Sequence, residues 1–230
     1  MIETLNRAVN KSFYVQTENE GRRCNEKVIH NIFFPMRKDV TEVGERDHDV
    51  WLLNEEYYCY DYIPSDKALS NIKWSDDTLL FKSDIDEEMQ KILSKNYDDN
   101  SAKRTDIALY SGGCSAVIIE FLTPGVNLDE HTGDLMEYAQ LLAAKSKGKL
   151  KKFYGYLLGD KINPNRIGGY IKFPSDKGWF GTERIVEHSS GARLGELYSE
   201  ILFYEDIVER AKRQKIELDK SFIAMMEGKQ

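Results

Sequence analysis

Apolar positions recur along this chain at two different periods. From Ala116 to Leu122 the run Ala-Val-Ile-Ile-Glu-Phe-Leu is almost continuous and reads as a strand central in a sheet, ended by Pro124-Gly125. Thr105 to Tyr110 reads as a second strand. Ser111-Gly112-Gly113 between them is a turn short enough to make the two antiparallel neighbours. From Asp134 to Ala144 the period changes to that of a helix, with Leu135, Tyr138, Ala139 and Leu142 on one stripe. Phe153 to Leu158 predicts another buried strand and Gly168 to Phe173 a further one, and the stretch near Trp179 is rich in glycine. A long helix follows from Tyr204 to Arg213, with Ile207, Val208 and Ala211 facing inward.

The first half of the chain is patterned less clearly. Residues up to Glu26 are polar and mixed, and predict a helix or strand that packs loosely. Between Lys27 and Tyr62 short apolar and aromatic runs (Ile32, Phe33, Phe34, then Trp51, Leu52, Leu53, then Tyr57, Tyr58, Tyr60, Tyr62) alternate with charged turns and read as strands. A helix is predicted from Asp84 to Lys95, with Ser83 as N-cap and Met89, Ile92 and Leu93 at helical spacing. Strand, strand, helix, strand in the middle of the chain implies an α/β (α+β) fold with a mixed central β-sheet flanked by helices. With 230 residues, the expected organisation is an N-terminal segment, 1–80, packing on a core, 81–230.

The formal charge is −7, which argues against a protein that coats nucleic acid by charge alone but not against one with a locally basic groove. Basic stretches run from Lys145 to Lys152 and from Arg210 to Lys215. Cys24, Cys59 and Cys114 are odd in number and far apart, so neither a zinc site nor a disulfide frame is expected. With no signal peptide, this favours a reducing, cytoplasmic setting. No apolar run approaches the roughly 20 residues that cross a bilayer. His30, His48, His131 and His188 follow no metal-ligand spacing, and no phosphate-binding glycine loop is present.

Glu120 stands out because it interrupts an apolar run, and carboxylates are rarely buried unless paired or bound to metal. The strand period of two sends Glu120 and Leu122 to one face, Ile119 and Phe121 to the other. Asp106 begins the preceding strand, so the two carboxylates can converge at one end of the hairpin. Such a pair suits a hard divalent cation like Mg²⁺. The same residues also fit a bland arrangement, in which Asp106 caps a turn and Glu120 pairs with a lysine.

Asp106-Ile107-Ala108-Leu109, the glycine turn, and Val117-Ile118-Ile119-Glu120-Phe121 before Pro124-Gly125 resemble the active-site hairpin of the PD-(D/E)XK nuclease superfamily. More narrowly, they resemble nuclease-like domains found C-terminal to histidine-kinase-like ATPase domains in bacteria. His30 to Asp39, Trp51 to Glu55, Ser65-Asp66-Lys67, Ser199 to Tyr204 and Glu209 to Arg213 also resemble segments of that family. The resemblance implies a restriction-endonuclease-like core and a nuclease acting on DNA or RNA. It makes Asp106 and Glu120 ligands of Mg²⁺ or Mn²⁺. Nucleic acid would lie near Lys145, Lys147 and Lys149. It further implies service in a larger bacterial system that restricts foreign nucleic acid, with a protein or ATPase partner and oligomers allowed. No membrane is implied. The start at Met1 argues against an ATPase domain preceding this segment.

Two positions depart from the pattern. The lysine expected two residues after the glutamate is Leu122, which can neither activate water nor stabilise a phosphate. In the helical Gln-x-x-x-Tyr motif Tyr138 matches, but the glutamine position holds Asp134. Three readings follow. The site is degenerate and the domain binds or assembles, or Lys103, Lys145 or Lys172 supplies the amine, or Leu122 replaces a natural lysine. Glu87 and Glu88 are available as an additional ligand, though acidic residues also simply favour a helix N-terminus. The remaining alternative is an unrelated α/β domain with an acidic strand.

Overall fold

The computed structural model describes residues 2–13, 22–39, 41–44, 47–53, 107–111, 114–146, 148–187 and 190–226. The expected strands at Tyr57 to Tyr62 and the expected helix from Asp84 to Lys95 lie outside these residues, as do Glu87, Glu88 and Lys103.

Six strands form one sheet: β1 (Ile107–Ser111), β2 (Ser115–Phe121), β3 (Lys152–Gly159), β4 (Ile171–Lys172), β5 (Trp179–Val186) and β6 (Arg193–Phe203), in the spatial order β1-β2-β3-β6-β5-β4. β1 is antiparallel to β2, while β2, β3 and β6 are mutually parallel. β5 and β4 add antiparallel strands at the far edge. The helices are α1 (Ile2–Val9), α2 (Arg22–Phe33), α3 (Thr132–Lys145) and α4 (Tyr204–Met226). This is the mixed sheet with flanking helices that the patterning implied.

Strand alternation divides the core into two layers. Val117, Ile119 and Phe121 of β2 pack with Leu5 and Ala8 of α1, Ile29 and Phe33 of α2, and Ile207 and Ala211 of α4. Ala116, Ile118 and Leu122 face the other way, toward Leu135, Tyr138, Ala139 and Leu142 of α3. A row of small residues lets the second layer close. Gly155, Ser199 and Gly181 are neighbours across β3, β6 and β5. The Leu135 methyls lie 3.0 and 3.3 Å from where a Gly155 Cβ would be, and the Tyr170 ring sits 3.4 Å from the same point on Gly181. The buried Ser199 hydroxyl donates to the Tyr170 phenol oxygen at 2.9 Å.

Several sequence expectations are corrected. Arg22–Phe33 is a helix, not a strand, because Ile29, Ile32 and Phe33 share one face at helical spacing and are buried together. Val50–Leu52 is a 3₁₀ turn rather than a strand. The N-terminal helix packs tightly, with Leu5 and Ala8 fully buried. Of the strand expected at Gly168 to Phe173 only Ile171–Lys172 forms, and β5 occupies the stretch expected to be glycine-rich loop. The last helix runs on to Met226. No helix of the described residues is long and apolar enough to cross a membrane.

Tyr204 opens α4 and is fully buried, and its hydroxyl donates to the Leu122 carbonyl at 2.8 Å. That bond ties the residue after β2 to the closing helix. Tyr204→Phe leaves a buried carbonyl without this donor and is expected to cost about 1–2 kcal/mol. A urea melt compared with that of the parent measures it.

Candidate metal site on the β1–β2 hairpin

The local sequence places Glu120 late on β2. Its neighbour on β3 is Leu157, and its face is the α3 side shared with Ala116, Ile118 and Leu122. The carboxylate is half-buried. The last described pair of the hairpin joins Ile107 to Ile119. In the sequence Asp106 precedes Ile107 and Glu120 follows Ile119; Asp106 itself lies outside the described residues.

Leu122 has a well-defined place. Its amide donates to the Leu158 carbonyl at 2.9 Å, extending the β2–β3 ladder past the strand end. Its side chain is only 7 % exposed, within the cluster that includes Ile118, Leu128, Leu135 and Tyr138. The position at which the motif lysine was expected is therefore an apolar core position. Tyr138 is 5 % exposed in the same layer. Asp134, one turn before it, is paired with His131, Nδ1 to Oδ2, at 2.9 Å.

Other carboxylates beyond the ends of β2 and β3 bind loops together. The Asp129 side chain is fully buried; Oδ1 accepts the Asn163 amide at 2.9 Å and Oδ2 faces the Arg166 guanidinium at 3.1 Å. Arg166 also reaches Glu130 at 3.3 Å, and Asp160 accepts the Gly125 amide at 2.7 Å. Sequence reasoning missed Asp129, because nothing local marks an acidic residue before a helix as buried. Among the described residues no group of three or more His, Cys, Asp or Glu is placed to hold a metal. Glu120 is a donor of the right chemistry for Mg²⁺ or Mn²⁺, but alone among the described residues it is one ligand of the several such ions require.

The structure does not bring Lys172 to Glu120. Lys172 lies on the same cross-strand row, which runs Glu120, Leu157, Ile201, Trp179, Lys172. Four strand spacings of about 4.8 Å put it roughly 19 Å away. There its amine pairs with Asp176 at 2.9 Å and sits over the Trp179 ring. Lys145 closes α3, and Lys149 lies in the turn before β3, half-buried; Lys147 is outside the described residues. That turn is at the opposite end of the parallel strands from Glu120, roughly 16 Å along β2 at 3.3 Å per residue.

A second unusual carboxylate lies on the other face. Glu200 of β6 accepts the Tyr198 hydroxyl at 2.8 Å. Burial, the largest influence, raises its pKa above the ordinary 4.5; the Tyr198 bond and the Arg210 guanidinium oppose the rise. Arg210 itself donates to the carbonyls of Leu52 and Leu53. The sign follows from linkage. Above pH 4.5 the unfolded chain releases this proton before the folded one does, so Glu200 lowers stability as pH rises through that window. Glu200→Gln is therefore expected to be more stable than the parent at pH 7, with the gap narrowing toward pH 4. Denaturant melts of both proteins at the two pH values check this.

Fold and hairpin together define an α/β protein with a mixed, centrally parallel sheet and an acidic residue late on its second strand. No family model, curated protein or solved structure matches this chain.

Proposed function

We propose that this chain is a PD-(D/E)XK-like domain in which Asp106 and Glu120 hold Mg²⁺ or Mn²⁺ and which hydrolyses phosphodiester bonds of DNA or RNA. The observation that carries this reading is the order of elements around Glu120. An antiparallel hairpin is followed by a helical crossover, α3, into a strand parallel to β2, with the carboxylate late on the hairpin's second strand. The position of Asp106 beside Ile107 in sequence, with Ile107 paired to Ile119, supports a convergence of the two carboxylates. A divalent ion bound there supplies a polarised phosphoryl oxygen and an activated water. Glu120 contributes a hard oxygen ligand from a rigid inner strand, and the apolar residues around it limit access of bulk water. A cytoplasmic role in a bacterial defence system belongs to the same reading.

Leu122 favours a second reading, a nuclease fold without catalysis that binds nucleic acid or a protein partner. Its side chain fills the core at the position where an amine is needed.

The test is incubation of the full chain with plasmid and with single-stranded DNA and RNA in Mn²⁺. Metal-dependent cleavage that falls by about a hundredfold or more in Asp106→Ala and in Glu120→Ala is the expected result. Cleavage absent from the parent and gained in Leu122→Lys selects the second reading. Metal titration that does not respond to either carboxylate removes every version of the two readings that has a metal site.

A further inference from the structure

Toward the starts of β3 and β6 the face opposite α3 turns polar, beyond the apolar layer that Val117, Ile119, Phe121 and Leu158 form with α1, α2 and α4. β3 and β6 are parallel and central, a position usually buried on both sides. Yet in register across β3, β6 and β5 this face carries one row of Lys152, Glu196 and Arg184 and a second of Tyr154, Tyr198 and Thr182. Lys152, Thr182, Arg184 and Glu196 are exposed, and both tyrosines are half-exposed. These residues, with Arg193, line a cleft of about 490 Å³.

Two properties of the cleft define its ligand. The first is a chain of rings across three strands. Tyr154 meets Tyr198 edge-on with centroids 6.3 Å apart, Tyr198 lies 6.3 Å from Phe180 at 29°, and Phe180 stacks on Phe173 at 5.3 Å. Tyr154 also packs against the apolar layer, and the half-exposed parts of the Tyr154 and Tyr198 rings leave stacking surface open to the cleft. The second is charge. Lys152, Arg184 and Arg193 surround Glu196, which is paired to Arg193; Glu200, two residues beyond Tyr198 on the same face, lies outside the lining and accepts the Tyr198 hydroxyl at 2.8 Å. Glu183 also borders the cleft, but its strand neighbour Leu197 belongs to the α3-side layer, so alternation turns its side chain away. Lys149 and Lys151 lie at the same end of the sheet. On a chain of net charge −7 this is a local reversal of sign.

We propose that this cleft binds single-stranded nucleic acid, with bases stacked on Tyr154 and Tyr198 and phosphates held by Lys152, Arg184 and Arg193. Planar π-faces beside cations match the two repeating parts of an unpaired strand. A duplex keeps its bases stacked inside and leaves the tyrosines unused. The cleft is on the opposite face from Glu120 and toward the other end of the strands, so the proposal stands apart from the metal reading. It also gives the basic stretch before β3 a place beside the ligand.

The test is fluorescence anisotropy of a labelled oligothymidine of about 12 nucleotides, within the usual site sizes for such folds. The full chain is titrated in EDTA at two salt concentrations. Saturable binding is expected. Tyr154→Ala and Tyr198→Ala should each weaken it about tenfold, while the Phe variants stay within about twofold. Lys152→Glu and Arg184→Glu alter exposed side chains, so they carry the test even if a tyrosine variant fails to fold. Each should weaken binding and flatten its salt dependence. Lys161→Glu, a charge reversal of an exposed residue just past the opposite end of β3, should bind as the parent does. The proposal is overturned by no saturable binding in the parent, by charge-reversal variants that bind like the parent, or by a duplex of equal length bound as tightly as the single strand.

Discussion

Gly178→Ala should destabilise the protein by about 3 kcal/mol or more, the largest effect expected of a methyl group added at any glycine among the described residues. Gly178 precedes β5 with φ of +118°, a conformation that L side chains rarely adopt. A Cβ there would lie 2.4 Å from the Ile201 carbonyl oxygen and 3.3 Å from the Phe173 ring. The carbonyl belongs to a strand in the sheet and cannot move aside as a side-chain tip would. The Gly178 carbonyl also accepts the Phe173 amide at 3.0 Å, closing the β4–β5 turn. Backbone strain and overlap each cost about 1–3 kcal/mol, and both apply here. Gly168→Ala is the control, since nothing lies within 4 Å of its Cβ position, and it should be nearly neutral. Urea melts of the two variants decide the matter. A Gly178→Ala protein as stable as the Gly168→Ala protein contradicts the described packing.

Leu122→Lys is the second large effect, and it joins stability to function. Leu122 is 7 % exposed among Ile118, Leu128 and Leu135, so exchanging it for lysine removes about 2–3 kcal/mol of apolar burial and adds an amine to an apolar layer. Glu120, on the same face, offsets part of that cost if the amine reaches it. A net loss of about 3 kcal/mol is expected, against less than about 1.5 kcal/mol for the volume-conserving Leu122→Met. Thermal or urea unfolding measures both. Nuclease assays must therefore be run well below the variant's melting temperature, so that lost fold is not mistaken for lost chemistry. A Leu122→Lys protein as stable as the parent would show that the position opens to solvent and that a lysine is tolerated there.

Legibility along the chain followed the range of the forces involved. β2 was readable because its seven residues carry a nearly unbroken apolar run, and α3 because Leu135, Tyr138, Ala139 and Leu142 repeat at 3.6 residues within one turn-by-turn window. The opposite faces of Glu120 with Leu122 and Ile119 with Phe121 followed from the strand period, and the two core layers bear out the apolar three of them. Arg22–Phe33 was misread because Ile32-Phe33-Phe34 taken as a triplet looks like a strand; only Ile29, one turn earlier and equally buried, discloses the helix. β5 was missed because Gly181, Glu183 and Arg184 carry little strand propensity. Its hydrogen bonds come from β6, a partner beyond any local window.

What the sequence determined by itself is the hairpin-helix-strand succession around Glu120, since each element there follows from its own periodicity and turn residues. Only the tertiary structure decided which residues meet. It set Lys172 on the Glu120 row yet four strands distant, moved the lysine turn before β3 to the far end of the sheet, buried Asp129 against Asn163 and Arg166, and assembled the tyrosine cleft from three strands. Periodicity along a chain reports which face a side chain takes. The distance between two side chains depends on strand order and direction, which are decided when separate segments bury their apolar faces against one another.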